Sequence, residues 1–355
     1  MPPGKIDLGG RLERYRRLYA SRAPGGLLVC AGFPGRSPRR AVDLREFDFT
    51  LESEHRRYWD VVIDNTLAGM ADREGLDDDW VPGIVLHYGF GAFGAVYWDA
   101  HLTFTNDTSY MDRAVDDWSQ LPERLYSPGR FWSQVFVGAA RYLSARAQGR
   151  FLVDPYPNPS PLDVVNLLVG NELFTAFHER PHELRRLLQR ATQAVIENAR
   201  AIQAALDNPW GGALAFNAWI PSGLLLLEDA ADLCSPRTYA EFGFPYTQRV
   251  IDAFGGAYIH HHSLGRHQYR NMASLRGLHV LQISSDPAVK RPPADLAHVM
   301  SAAGGVVVDL ECTAEEIYEH IGELRQGRAI LRAECADLDD ANRLVRFVRR
   351  HSSVL

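Results

Sequence analysis

Three consecutive histidines, His260-His261-His262, stand at the end of the apolar run Gly256–His262 (GAYIHHH). If that run is a β-strand, residues i and i+2 share a face, so His260 and His262 project together and His261 projects the other way. Two imidazoles on one face, joined by a thiolate or carboxylate from another strand end, have the makings of a zinc site. Cys335, just beyond the apolar run Ala329–Ala333 (AILRA), is the candidate thiolate. The same His-x-His spacing also suits a hydrogen-bonded pair or a substrate contact, and Cys335 also suits a small buried apolar side chain. Other runs end in polar residues too: Ser284-Ser285-Asp286 after VLQIS, Asp309, Glu311 and Cys312 after GVVVD, and Glu334 beside Cys335. Earlier in the chain, His87 and Tyr88 close the run PGIVLH and are candidates to face a pocket. The glycine- and aromatic-rich stretch Tyr88–Trp98 that follows reads as a loop, either a lid over a flat ligand or an ordinary packed connection.

These residues need a scaffold that brings strand ends together. Short β-branched runs alternate with patterns of helical length, most clearly from residue 256 onward. Strands are predicted at Gly26–Cys30, Pro82–His87, Phe151–Val153, Leu214–Ala218, Gly256–His262, Val280–Ser284, Gly305–Asp309 and Ala329–Ala333. Helices are predicted at Arg11–Ser21, Glu54–Met70, Leu162–Glu179, Pro181–Leu206, Pro236–Phe254, Arg266–Leu275, Pro293–Ala303, Ala314–Glu323 and Asp339–His351. Repeated βα units with uniformly apolar strands imply a parallel sheet covered on both faces. No Gly-x-Gly-x-x-Gly turn, Walker-type phosphate loop or Gly-x-Ser-x-Gly elbow is present, which weakens the nucleotide-binding and serine-hydrolase alternatives. A single (β/α)8 barrel over residues 1–355 is therefore expected, with a helical N-terminal extension at 1–25. In such a barrel chemistry sits at the C-terminal ends of the strands.

Composition is ordinary for a globular protein, with 46% hydrophobic and 23% charged residues in 355. The 38 basic and 44 acidic side chains leave a net charge of −6, which argues against a nucleic-acid surface. No run reaches the ~18 apolar residues of a membrane span. The start of the chain lacks the apolar stretch of a secretory signal, and four cysteines are too few for a disulfide framework. A cytoplasmic location is expected.

The segment Glu228–Pro245 (EDAADLCSPRTYAEFGFP), continued by YTQRVIDAFGGAYIHHHSLG, resembles the uroporphyrinogen decarboxylase superfamily. More narrowly, it resembles the zinc-dependent corrinoid and thiol methyltransferase branch, related to cobalamin-independent methionine synthase. PLDVVNLLVGNELFTAFHERP (161–181), LQISSDP (281–287) and the closing AILRAECADLDDANRLVRFVR extend the resemblance over roughly residues 80 to 350. It implies Zn2+ on His260, His262 and Cys335, with His262 standing where that branch carries a cysteine. It also implies an acidic residue near the metal at Asp286, substrate contacts at Asn217 and Trp219, and an acidic pair whose Asp229 would hold a substrate amine or a helix N-terminus. The implied reaction moves a methyl group from a corrinoid or folate-like donor to a zinc-activated thiol. A separate corrinoid carrier protein is then an implied partner, and a homodimer is left open. The arginine-rich substrate motif of the decarboxylases is absent near Cys30–Arg36. A lyase or decarboxylase acting on a small carboxylated substrate is the second expectation, and a non-catalytic ligand-binding barrel the third.

Overall fold

The computed structural model describes residues 6–115, 117–155 and 158–354; residues 1–5 of the expected N-terminal extension lie outside that range. Parallel strands run through β1 (Gly26–Gly32), β2 (Gly83–Val85), β3 (Leu152–Asp154), β4 (Leu224–Leu227), β5 (Ala257–His262), β6 (Leu278–Ser284), β7 (Val307–Thr313) and β8 (Arg328–Glu334). One seven-stranded sheet follows the order β1, β8, β7, β6, β5, β4 and the short segment Asn158–Pro159, and β2 pairs with β3 separately. Every ladder in the large sheet is parallel. No helix among the described residues is long and apolar enough to cross a membrane.

Successive side chains of these strands enter two different cores. Leu28, Cys30, Leu225, Tyr258, Val280, Val307 and Ile330 form an inner cluster with Leu8, Leu12, Tyr15 and Leu18 of helix α1 (Leu8–Ala20). The intervening Leu27, Val29, Leu226, Ile259, Leu281, Val308 and Leu331 join the larger cluster beneath the surrounding helices. This is the two-residue period of a strand buried on both faces. Helix α1, capped by Asp7 on the Gly10 N–H, packs on the inner cluster.

The architecture is an α/β fold around a parallel sheet, consistent with a barrel, but its ladder does not close among the described residues. Two acidic side chains take the place of a neighbouring strand along β1. The Val29 N–H donates to Asp79 Oδ2 at 2.8 Å and the Ala31 N–H to Asp78 Oδ2 at 3.1 Å, while the Asp79 N–H donates to Val29 O at 2.8 Å. Both carboxylates are fully buried and bound by arginines, Asp78 by Arg11 and Arg73 and Asp79 by Arg14.

Several boundaries differ from the sequence expectation. The predicted helix Leu162–Glu179 divides at Gly170 (φ +60°) into Pro161–Val169 and Glu172–Glu179. The predicted helix Pro236–Phe254 divides at Gly243, ahead of Pro245. Ser160-Pro161 and Ser235-Pro236 each open a helix, the hydroxyl accepting an N–H three residues on and the proline taking the first turn. The predicted strand Leu214–Ala218 is an antiparallel hairpin, Ala213–Ala215 with Ala218–Ile220, turning on Phe216 and Asn217 at φ +47° and +60°. The sheet strand of this region is Leu224–Leu227, an all-leucine run with no polar period to mark it. The stretch read as a loop after Tyr88 contains a short helix, Phe90–Ala95, where a Cβ on Gly91 would meet the Tyr110 backbone at 2.5 Å.

Removing one partner of a buried charge pair strands the others. Asp79→Ala leaves the Val29 N–H without its acceptor and takes from Arg14 its buried carboxylate, with only Asp77 and the Asp78 carbonyl remaining to it, and should lower the unfolding free energy by about 3 kcal/mol in chemical denaturation.

Candidate metal and substrate site

Strand β5 carries the centre of the site. Tyr258, His260 and His262 occupy its inward positions, and His261 faces the helices, fully buried between the carbonyls of Glu228 and Gly265. The Nε2 atoms of His260 and His262 approach to 3.1 Å, and Asp229 Oδ1 lies 3.8 and 3.6 Å from them. Each outward nitrogen is engaged elsewhere. His260 Nδ1 donates to Gln282 Oε1, and His262 Nδ1 donates to Asp286 Oδ1 at 2.9 Å. That assignment leaves both Nε2 atoms unprotonated beside each other, and a ring held through its other nitrogen is the way histidine ligands are oriented in metal sites.

Neighbouring groups hold this arrangement. Gln282 passes its amide N–H to Ser284 Oγ at 2.9 Å, which keeps its oxygen toward His260. Asp286 Oδ2 accepts the Leu264 N–H at 2.8 Å and the Ser263 hydroxyl at 3.1 Å. Partial burial disfavours the charged form of Asp286, but the Leu264 N–H, the His262 ring and Ser263 outweigh it and hold the carboxyl below its usual range. Burial lowers the His260 pKa against the opposing pull of Asp229, which favours a neutral imidazole. Asp163 accepts the N–H groups of Asp229 and Ala230 at 3.1 and 2.7 Å and so fixes the turn presenting Asp229.

Asp229, His260 and His262 fit a divalent cation. Tetrahedral arms of 2.0–2.1 Å put ligand atoms about 3.3 Å apart, near the separation of the two Nε2 atoms. The three ligand atoms all lie within 4.8 Å of one another.

Cys335 does not join them. On β8 the inward positions are Ile330, Arg332 and Glu334, whereas Ala329, Leu331, Ala333 and Cys335 belong to the helix-side core. Cys335 therefore has the wrong parity to reach the histidines. Burial, reinforced by Asp340, Glu334 and Glu315, pushes its thiol up to about 11. Tyr88 is likewise removed from the site. Its hydroxyl accepts the Trp59 indole N–H at 2.6 Å within a cluster containing Phe49, Trp132 and Phe136. Trp219 packs against Tyr19 and donates to Gly211 O at 2.8 Å, away from the histidines.

His87 and Asn217 do reach the strand ends. They line a cavity of about 450 Å³ that also includes His260, Gln282, Phe216 and Arg332. Asn217 is held there by donating to Val81 O at 2.9 Å. Sequence reasoning missed Gln282, Asp163 and Arg332. The first and third stand at inward positions of strands it had identified, and face parity could have found them; Asp163 lies on a helix and carried no signal.

Geometry thus defines a His-His-Asp cluster beside a strand-end cavity in a barrel-like α/β fold. No protein-family model matches the chain, and no curated protein matches it. Among solved structures, the chain is similar to a methyltransferase from Methanosarcina mazei, with 14% identity and a TM-score of 0.61 over 98% of this chain and 99% of that one. At that identity the likeness shows a shared fold.

All four cysteines are buried, and burial raises Cys30, Cys234 and Cys312 to about 12. The native protein should show no fast-reacting thiol toward a chromogenic disulfide at pH 8, and the full set after denaturation. A rapid phase abolished by Cys335→Ala would place that thiol in an open site instead.

Proposed function

We propose that the chain is a metal-dependent methyltransferase whose cation, expected to be Zn2+, is held by His260, His262 and Asp229. The observation that carries this reading is the pair of Nε2 atoms 3.1 Å apart, each ring tied back through Nδ1. The fold likeness to a methyltransferase over nearly the whole chain supports the reaction class. It is also the support for a closed (β/α)8 barrel and for membership of the uroporphyrinogen decarboxylase-like superfamily. When bound, such a cation lowers the pKa of a thiol ligand and supplies a thiolate at neutral pH. Asp286 and Gln282 orient the two imidazoles, Asp163 positions Asp229, and the cavity at His87 and Asn217 receives the substrate. A corrinoid or folate-like donor, with a separate carrier for the former, is the donor class implied by the sequence resemblance.

The donor set favours one competing reading. Two neutral imidazoles and one carboxylate would leave a divalent ion with one net positive charge, whereas two thiolates and one imidazole would leave none. A more electron-poor ion polarises a carboxylate or hydroxyl more strongly. That supports a lyase or decarboxylase acting on a small carboxylated substrate.

Metal analysis of the purified chain separates these ligand sets. About one zinc per chain is expected in the wild type and in Cys335→Ala, and little in His262→Ala or Asp229→Ala. Wild-type protein that retains no divalent metal after zinc is restored would overturn the proposal. Methylation of a simple thiol by the loaded protein then distinguishes transfer from lyase chemistry.

A further inference from the structure

The cavity beside His260 has a composition that the metal cluster does not explain. His87, Phe90 and Phe93 form one corner of it, with ring centroids 5.5–6.0 Å apart and interplanar angles of 86°, 69° and 82°. Their planes are nearly perpendicular, as adjacent walls of a box. Phe216 lines the same cavity, edge-to-face with His260 at 5.6 Å. Burial lowers the His87 pKa, so its ring serves as a neutral wall.

Outside the metal cluster, the side-chain charges of this cavity do not pair off one to one. Arg332, the cation lining it, donates from Nε and Nη2 to both oxygens of Asp309 at 2.6 Å, and Tyr258 adds its hydroxyl to Asp309 at 2.8 Å. Glu311 lines the same cavity two residues beyond Asp309 and is exposed. Among the described residues it has no hydrogen-bond or ion-pair partner. Apart from the proposed cation and its ligands, the cavity presents the rings of His87, Phe90, Phe93 and Phe216 and one carboxylate that no arginine pairs, Glu311, which also acts electrostatically on His260. Aromatic faces attract diffuse, weakly hydrated cations, and quaternary ammonium groups are the characteristic ligands of such boxes.

We propose that this cavity binds a small onium compound, a methylated ammonium or sulfonium, against Phe90, Phe93 and Glu311. Resting on the methyltransferase reading, the onium is also the methyl donor. An onium methyl is already activated for transfer. The acceptor thiolate sulfur forms a bond to the methyl carbon, and the carbon–nitrogen or carbon–sulfur bond breaks with its electron pair returning to the heteroatom. Atoms and charge balance, giving a thioether and a neutral amine or sulfide, with no oxidant or reductant.

Calorimetry on the full chain tests binding directly, with choline, trimethylsulfonium and the neutral isostere 3,3-dimethylbutan-1-ol as probes. At least one onium should bind saturably, about ten-fold more tightly than the neutral isostere. The ratio of choline to trimethylsulfonium affinity identifies the preferred heteroatom. Glu311→Gln and the rim variant Phe90→Ala should each weaken the onium several-fold, and Glu311→Gln should leave the isostere unchanged. Equal affinity for isostere and onium, no saturable binding, or no effect of Glu311→Gln would each overturn the site. Failure of the zinc-loaded protein to release demethylated product with 2-mercaptoethanol, despite onium binding, would overturn the donor role. Metal content is measured separately. Onium binding without retained metal would sink the methyltransferase reading and leave the site standing, and retained metal without onium binding would do the reverse.

Discussion

The strict alternation of side chains along parallel strands buried on both faces governs this molecule. On β5 it sends Tyr258, His260 and His262 inward and His261 into the helix layer. On β8 it directs Arg332 and Glu334 to the strand-end cleft and Cys335 away from it. A register slip of one residue would exchange the two sets and dismantle the site. The inner and outer apolar cores oppose that slip, because every strand would have to trade its buried side chains between them.

The fold meets a second demand along β1. A parallel sheet with an incomplete neighbour exposes backbone donors that need acceptors. Asp78 and Asp79 supply carboxylate oxygens where another strand would supply carbonyls. Buried carboxylates carry a desolvation cost that is offset only by close partners and hydrogen bonds. Arg11, Arg14 and Arg73 provide these, and Arg11 comes from the helix that covers the inner core. Helix α1 is thereby tied electrostatically as well as by apolar packing.

Within the site, the polarity of each imidazole is set by what its Nδ1 meets. Gln282 and Asp286 come from β6 and the turn after it, the nearest neighbours of β5. Adjacent βα units therefore supply both the histidines and the groups that orient them. The third member, Asp229, arrives from the turn after β4, on the other side of β5. Three consecutive strand ends suffice to build the cluster, so it does not depend on the open part of the ladder.

Much of this was legible in the chain itself. The apolar runs from residue 256 onward declared parallel βα units, because their length and uniform hydrophobicity allow little else. The i, i+2 rule pairs His260 with His262 from the sequence alone, since strand geometry is local. The all-leucine strand Leu224–Leu227 escaped because it lacks a polar period, and the hairpin before it imitated a strand. Tertiary structure alone decided which acidic or thiol side chain stands beside the two histidines. Cys335 and Asp229 are both far from the histidines in sequence, and their relative reach depends on strand parity and on the turn held by Asp163. Sequence by itself determined which side chains share a face, a matter of backbone period. Only the packed sheet determined which faces meet, because that rests on register and on contacts between distant strand ends.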